Sequence, residues 1–186
     1  MINSEDLDAM RNVLDFWFSD RVQEKWFDAD NEFDSELKER FGVLSDKAVA
    51  GELESWRRTA EGAVALVALL DQMPRNIYRG TPRAFAGDAR ALEVSREVIS
   101  RGDDNGLDQD RRYILYMPFM HAEDLAAQNE GVRLFEKLGR EKPLDYMKRH
   151  RDIVARFGRF PHRNEILGRE ATAEEVEFLK QRGSSF

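Results

Sequence analysis

The sequence predicts an all-α protein, and three observations carry that expectation. Apolar residues recur at three- and four-residue intervals in segment after segment. Residues suited to cap helices stand ahead of those segments, with glycine or proline behind them. No stretch alternates apolar and polar residues with the period of two that a half-buried strand requires. About seven or eight helices are expected. They are assigned to one domain, residues 1–186, because no Pro/Gly/Ser-rich stretch divides the chain, with residues 181–186 expected to fray.

Taken in order, Ser4 is placed to cap a first helix whose apolar face is Leu7, Met10, Val13, Leu14 and Trp17. Lys25-Trp26-Phe27 reads as a connector, and Asp30 or Asn31 caps a second helix carrying Phe33, Leu37, Phe41 and Leu44, ended by Gly51. Thr59 introduces the most apolar segment, Ala63 to Leu70, which is apolar nearly all round and belongs in the middle of a core. Pro74 disfavours helix at Met73, so the helix is expected to kink or end there and Arg75 to Gly80 to form an irregular turn.

Asp88 is placed to cap the next helix, stopped at Gly102, and Asp103 to Gly106 reads as an exposed loop. Asp108 or Asp110 opens a helix toward Met117, with Pro118 kinking it or starting another, and helical residues continue from Phe119 to Leu138. A helix from Pro143 to Gly158 precedes a second irregular block, 159–164. Thr172 to Glu175 has the form of a capping box opening a last helix.

Composition removes several classes of function. A net charge of −7, from 29 Lys+Arg against 36 Asp+Glu, argues against nucleic acid as a partner, because counterion release rewards basic surfaces. With no cysteine there is no disulfide, thiolate nucleophile or zinc–thiolate site, which fits a cytoplasmic location. The N-terminus lacks the basic and apolar regions of a secretion signal, and the longest apolar run, eight residues, is far short of the roughly 20 a spanning helix needs, so no membrane partner is expected. Dinucleotide loop, phosphate loop and serine-hydrolase elbow are all absent, and no cofactor and no metal are expected.

Four separated motifs carry a family resemblance: Phe16-Trp17-Phe18; Leu69 through Gly80, with Asp71-Gln72-Met73-Pro74-Arg75-Asn76 at its centre; Met117-Pro118-Phe119-Met120-His121-Ala122-Glu123-Asp124; and Arg156 through Asn164. In this order, across nearly the whole chain, they resemble the bacterial family catalogued as domain of unknown function 924. The resemblance implies antiparallel helix pairs in a right-handed superhelix similar to that of tetratricopeptide repeats. It implies no reaction, cofactor or catalytic residue. The chain shows no 34-residue self-similarity of its own.

The candidate chemistry lies in two turns. Residues 71–83 carry Arg75, Arg79 and Arg83 against Asp71, a local charge of +2, and residues 156–169 carry Arg156, Arg159, Arg163 and Arg169 against Glu165, a local charge of +3. Arginine's planar fork suits carboxylate and phosphate. One reading is a pocket for a small anionic ligand lined by Arg75, Asn76, Arg79, His121, Glu123, Arg159, His162, Arg163 and Asn164, with His121 or His162 as acid/base if the site is catalytic. The other is a structural network in which the arginines cap helix ends and pair with Asp71, Glu123 and Asp124. His121, Asp124 and Gln128 would share a face if one helix carried them, offering a base with its orienter or two metal ligands, though a cap or ion-pair role is favoured. His150, between Met147 and Val154, reads as a core histidine, and the tryptophans as core packing. A helical scaffold binding a protein or peptide partner is the reading from a different class. Whether the chain is an enzyme, and its oligomeric state, are left open.

Overall fold

The computed structural model describes residues 3–26 and 28–185, so Met1, Ile2, Phe27 and Phe186 lie outside it, and with them parts of the N-terminal, connector and tail readings above. The described residues contain no strand, and no helix among them is long and apolar enough to cross a membrane. The chain forms two compact units, one of residues up to Arg79 together with Arg83–Pro118, the other of Gly80–Pro82 together with the chain from Phe119 onward.

The first unit opens with α1 (Ser4–Trp17), capped by Asn3 rather than Ser4: the Asn3 Oδ1 accepts from the Asp6 amide at 2.7 Å. A short α2 (Asp20–Gln23) leads to α3 (Asn31–Ala50), where Asp30 caps and Gly51, at φ 84°, terminates. Thr59 caps α4 (Ala60–Val67), which is buried on nearly every side, as its apolar composition requires. This helix does not stop at Pro74. It widens into one π turn, Ala68–Gln72, and resumes as α5 (Met73–Ile77), so Arg75 and Asn76 stand on helix and not in an irregular turn.

The widened turn accommodates the proline. Pro74 cannot donate to Leu70, four residues back. The backbone of Gly87 packs against that carbonyl so closely that a Cβ there would stand 2.2 Å from the Leu70 oxygen. Gly87 also precedes α6 (Asp88–Arg101), so Asp88 is the first helical residue and its carboxylate, expected to cap, is turned instead to Arg75. The following Asp103–Gly106 turn is not simply exposed: Asp104 is buried and accepts from the Tyr116 hydroxyl at 2.6 Å. α7 (Gln109–His121) runs through Pro118 without ending, and the boundary between the units falls at that proline.

In the second unit α7 ends at His121. The one continuous helix imagined through Gln128 does not form, because Asp124 is extended and its carboxylate caps α8 (Leu125–Leu138) by accepting from Ala126. Only Gly139 and Arg140 separate α8 from α9 (Glu141–Phe157), a link so short that the two helices pair antiparallel. Gly131 lets them close up, since a Cβ there would meet Met147 Sδ and Phe119 Cβ at 2.9 Å. Gly158 stops α9, a 3₁₀ turn spans Pro161–Arg163, and the Thr172–Glu175 capping box opens α10 (Ala173–Leu179) as its sequence foretells.

Candidate functional site

The arginine turns fall in different units, and each binds carboxylates of its own unit. In the first, Arg75 forks onto Asp88 with two bonds of 3.0 Å and also contacts Asp71, on the π turn. Burial opposes its charge, but Asp71 and Asp88 outweigh that and raise its pKa. Asp34 of α3 accepts from Asn76 Nδ2 at 2.8 Å and from Arg79 Nε and Nη2 at 2.7 and 3.0 Å. Arg83 donates to Asp46 and lies over the Tyr78 ring at 3.9 Å. The guanidinium forks of Arg75 and Arg79 are thus occupied by side chains that lock α5 to α3 and α6.

In the second unit Arg159 forks onto Glu175 at 2.7 and 2.8 Å and donates to the Glu170 carbonyl, tying the turn to the α10 capping box. Arg159 pulls the Glu175 carboxyl down to about 2. Glu123, in the link between α7 and α8, accepts from Arg169 Nη1 and Nη2 at 2.6 and 2.9 Å and from the Phe160 amide at 2.7 Å. Burial opposes its charge, and Arg169, the Phe160 N–H and Arg163 together still hold its pKa below the ordinary value. Asn164, buried, accepts from Arg169 Nε at 3.0 Å. These contacts form a frame around a cluster of rings.

Inside that frame all three histidines of the chain meet. His121 ends α7, His150 lies within α9, and His162 is on the 3₁₀ turn. The His121 and His150 rings are 6.3 Å apart, Phe160 stands edge-on to His150 at 5.5 Å and beside His162 at 5.7 Å, and the Arg163 guanidinium covers Phe160 at 4.6 Å. His121, His150 and Arg163 are buried, while His162 keeps partial access to solvent.

The electrostatics of this cluster are consistent. His150 Nδ1 lies 2.7 Å from the Tyr146 carbonyl, which makes it the protonated nitrogen and leaves Nε2 as an acceptor. Burial, then the charges of His121, Arg163 and His162, press its pKa to about 3. Burial and then Arg163 press His162 to about 4, with Glu123 only partly offsetting them. Both imidazoles are neutral at pH 7, chiefly because burial disfavours their charged forms, with Arg163 adding to the effect.

The Gln128 amide also completes the wall. Its Nε2 donates to the Met120 and Ala122 carbonyls, both at 2.7 Å, bracketing His121, and its buried Oε1 has no hydrogen-bond partner among the described residues. A buried acceptor in that state calls for a donor from water or a ligand.

The sequence grouped nine residues, and the second unit gathers His121, Glu123, Arg159, His162, Arg163 and Asn164, whereas Arg75, Asn76 and Arg79 form their own network around Asp34 and Asp88. His150 is buried with its Nδ1 on the Tyr146 carbonyl, the core histidine its spacing predicts, and from that position it joins the cluster together with Phe160. The only signal in the sequence for that membership was its scarcity, one of three histidines. Among the described residues no group of three or more His, Asp or Glu could hold a metal ion.

Residues 13–183 match the sequence pattern of a family described as bacterial protein of unknown function, DUF924. The chain belongs to that family. A solved structure, that of a protein of unknown function from Agrobacterium tumefaciens, is 43% identical to this chain. The match covers 94% of this chain and 98% of that one, with a TM-score of 0.88. No curated protein matches this DUF924 chain significantly.

Proposed function

We propose that this DUF924 protein binds a small anionic molecule, a carboxylate or phosphate, at the histidine cluster of its second unit. His162 and Arg163 are the direct contacts, His121 lines the wall, the Gln128 acceptor is left to a water molecule rather than the anion, and Glu123, Arg159, Asn164 and Arg169 form the supporting frame. The observation that carries the reading is the convergence of every histidine in the chain around Phe160 and the buried Arg163, a guanidinium set among neutral rings. The charge of Arg163 is what attracts an anion here, and the neutral His162 ring can offer it one N–H. The partly accessible His162 gives the ligand an entry. Should the bound anion react, His121 and His162 are the groups placed to move protons. Arg75, Asn76 and Arg79 are assigned to the structure of the first unit, because their donors already have carboxylate partners.

Thermal unfolding against a panel of phosphorylated and carboxylated metabolites tests this. A ligand at about 100 times its Kd adds about 2.7 kcal/mol, which at roughly 2 to 4 °C per kcal/mol is a rise of roughly 5 to 11 °C. The rise should vanish in Arg163→Lys, which keeps the charge and loses the fork, and persist in Arg79→Ala. No rise with any anion, or a rise indifferent to Arg163, contradicts the proposal.

A further inference from the structure

A second feature of the same unit is independent of the histidines. Between α9 and the segment after α10 lies a groove of about 420 Å³, lined by Arg149, Asp152, Ile153, Phe178, Arg182 and Gly183. Its floor is apolar. Ile153 is buried, and Phe178 packs on Phe157 with ring centroids 4.9 Å apart, both being part of the small core that includes Val154 and Phe160. Its rim is cationic. Arg149 and Arg182 have no carboxylate within ion-pair distance among the described residues, Arg149 lying only over the Tyr146 ring at 5.6 Å, whereas the one acid present, Asp152, is engaged by Arg151 Nε at 2.7 Å. The backbone holds this rim in place. Gly183 turns in the left-handed region at φ 80°, and the buried Ser184 hydroxyl donates to the Leu179 carbonyl at 3.1 Å, fixing the residues on both sides of Arg182.

We infer that this groove is a second binding site, for a small amphipathic monoanion: a carboxylate carried on an aromatic or short aliphatic body. The apolar body lies on Phe178 and Ile153 and the carboxylate is shared between the guanidinium groups of Arg149 and Arg182. Charge complementarity selects the anion, and the apolar floor selects against inorganic phosphate, which has nothing to bury there. The volume is that of small-molecule sites, which begin at roughly 300 Å³, so the occupant is a small molecule and not a length of peptide.

The test follows backbone amide resonances of the full chain during titration with benzoate, benzyl alcohol, inorganic phosphate and a tetrapeptide ending in phenylalanine. Benzoate should move Ile153, Phe178 and Gly183 saturably, with benzyl alcohol at least 10-fold weaker and phosphate leaving these residues unmoved. Arg149→Gln with Arg182→Gln, both at exposed positions whose loss leaves the fold intact, should weaken benzoate at least 10-fold. Absence of saturable shifts, equal binding of benzyl alcohol, or indifference to the double substitution overturns the inference. Tighter binding of the tetrapeptide than of benzoate overturns the small-molecule assignment.

Discussion

Lowering the pH from 7 to 5 should destabilise this protein through two side chains. His150 and His162 have native pKa values near 3 and 4 against about 6.5 in an unfolded chain. Between those limits the unfolded state binds protons that the native state refuses, so stability falls as pH drops through 6.5 and goes on falling until the native imidazoles charge. For His150, buried within α9, the loss from pH 7 to 5 is about 2 kcal/mol. His162, partly exposed, loses less, and the pair together about 3 kcal/mol. Carboxylates scarcely contribute in this window: unfolded glutamate titrates near 4.3, and Glu175 lies lower still in the native chain. At roughly 2 to 4 °C per kcal/mol, the Tm should drop by roughly 6 to 12 °C. The assay is urea denaturation at pH 5 and 7, with His150→Phe as the diagnostic variant, since phenylalanine keeps the ring beside Phe160 and removes the titration. Its pH-dependent loss should be less than half that of the wild type. Equal stability at both pH values, or an unchanged slope in His150→Phe, would refute the burial argument.

Three further outcomes rest on particular contacts. Gly87→Ala places a Cβ against the Leu70 carbonyl, which is backbone and cannot swing away, and should cost about 3 kcal/mol or more in chemical denaturation; Gly139→Ala, where a Cβ would meet open space but φ is 75°, should cost only about 1 kcal/mol. Thr172→Ala removes one half of the α10 capping box and should cost about 1 kcal/mol, with amide exchange accelerated at the first turn of α10. Anion affinity, measured by calorimetry, should rise as pH falls from 7 toward 5, because a bound anion raises the His162 pKa and binding then takes up protons; affinity that falls with pH would place the anion away from the imidazoles.

Much of the fold was legible because helix ends are written locally. Thr59, Asp30, Gly51, Gly102, Gly158 and the Thr172 box each act within a few residues, and each was readable without knowledge of tertiary partners. Tertiary pairing is what the local reading lacks. Asp88 looked like a cap and serves Arg75, Asp104 looked exposed and is buried with the Tyr116 hydroxyl on it, and Pro74, expected to kink or end its helix, is instead carried through by a π turn and the bare backbone of Gly87. The site divides in the same way. Arginine-rich turns were visible as charge, but which forks are occupied depends on Asp34, Asp88, Glu123 and Glu175, acids that lie 12 or more residues away and that no local sum includes. His150 was legible as a core residue from the apolar spacing of α9, and only its neighbours His121 and His162 were not.

The central claim, an anion held among the histidines, is tested most directly by long-range ¹⁵N–¹H spectra of the imidazole rings during titration with inorganic phosphate and with citrate. Resonances of His162 should move most, those of His121 and His150 with them, at one common saturation point, and Arg163→Lys should weaken that response at least 10-fold. Imidazole resonances that stay fixed while backbone amides near Arg75 and Arg79 shift would contradict the claim and return the search to the first unit.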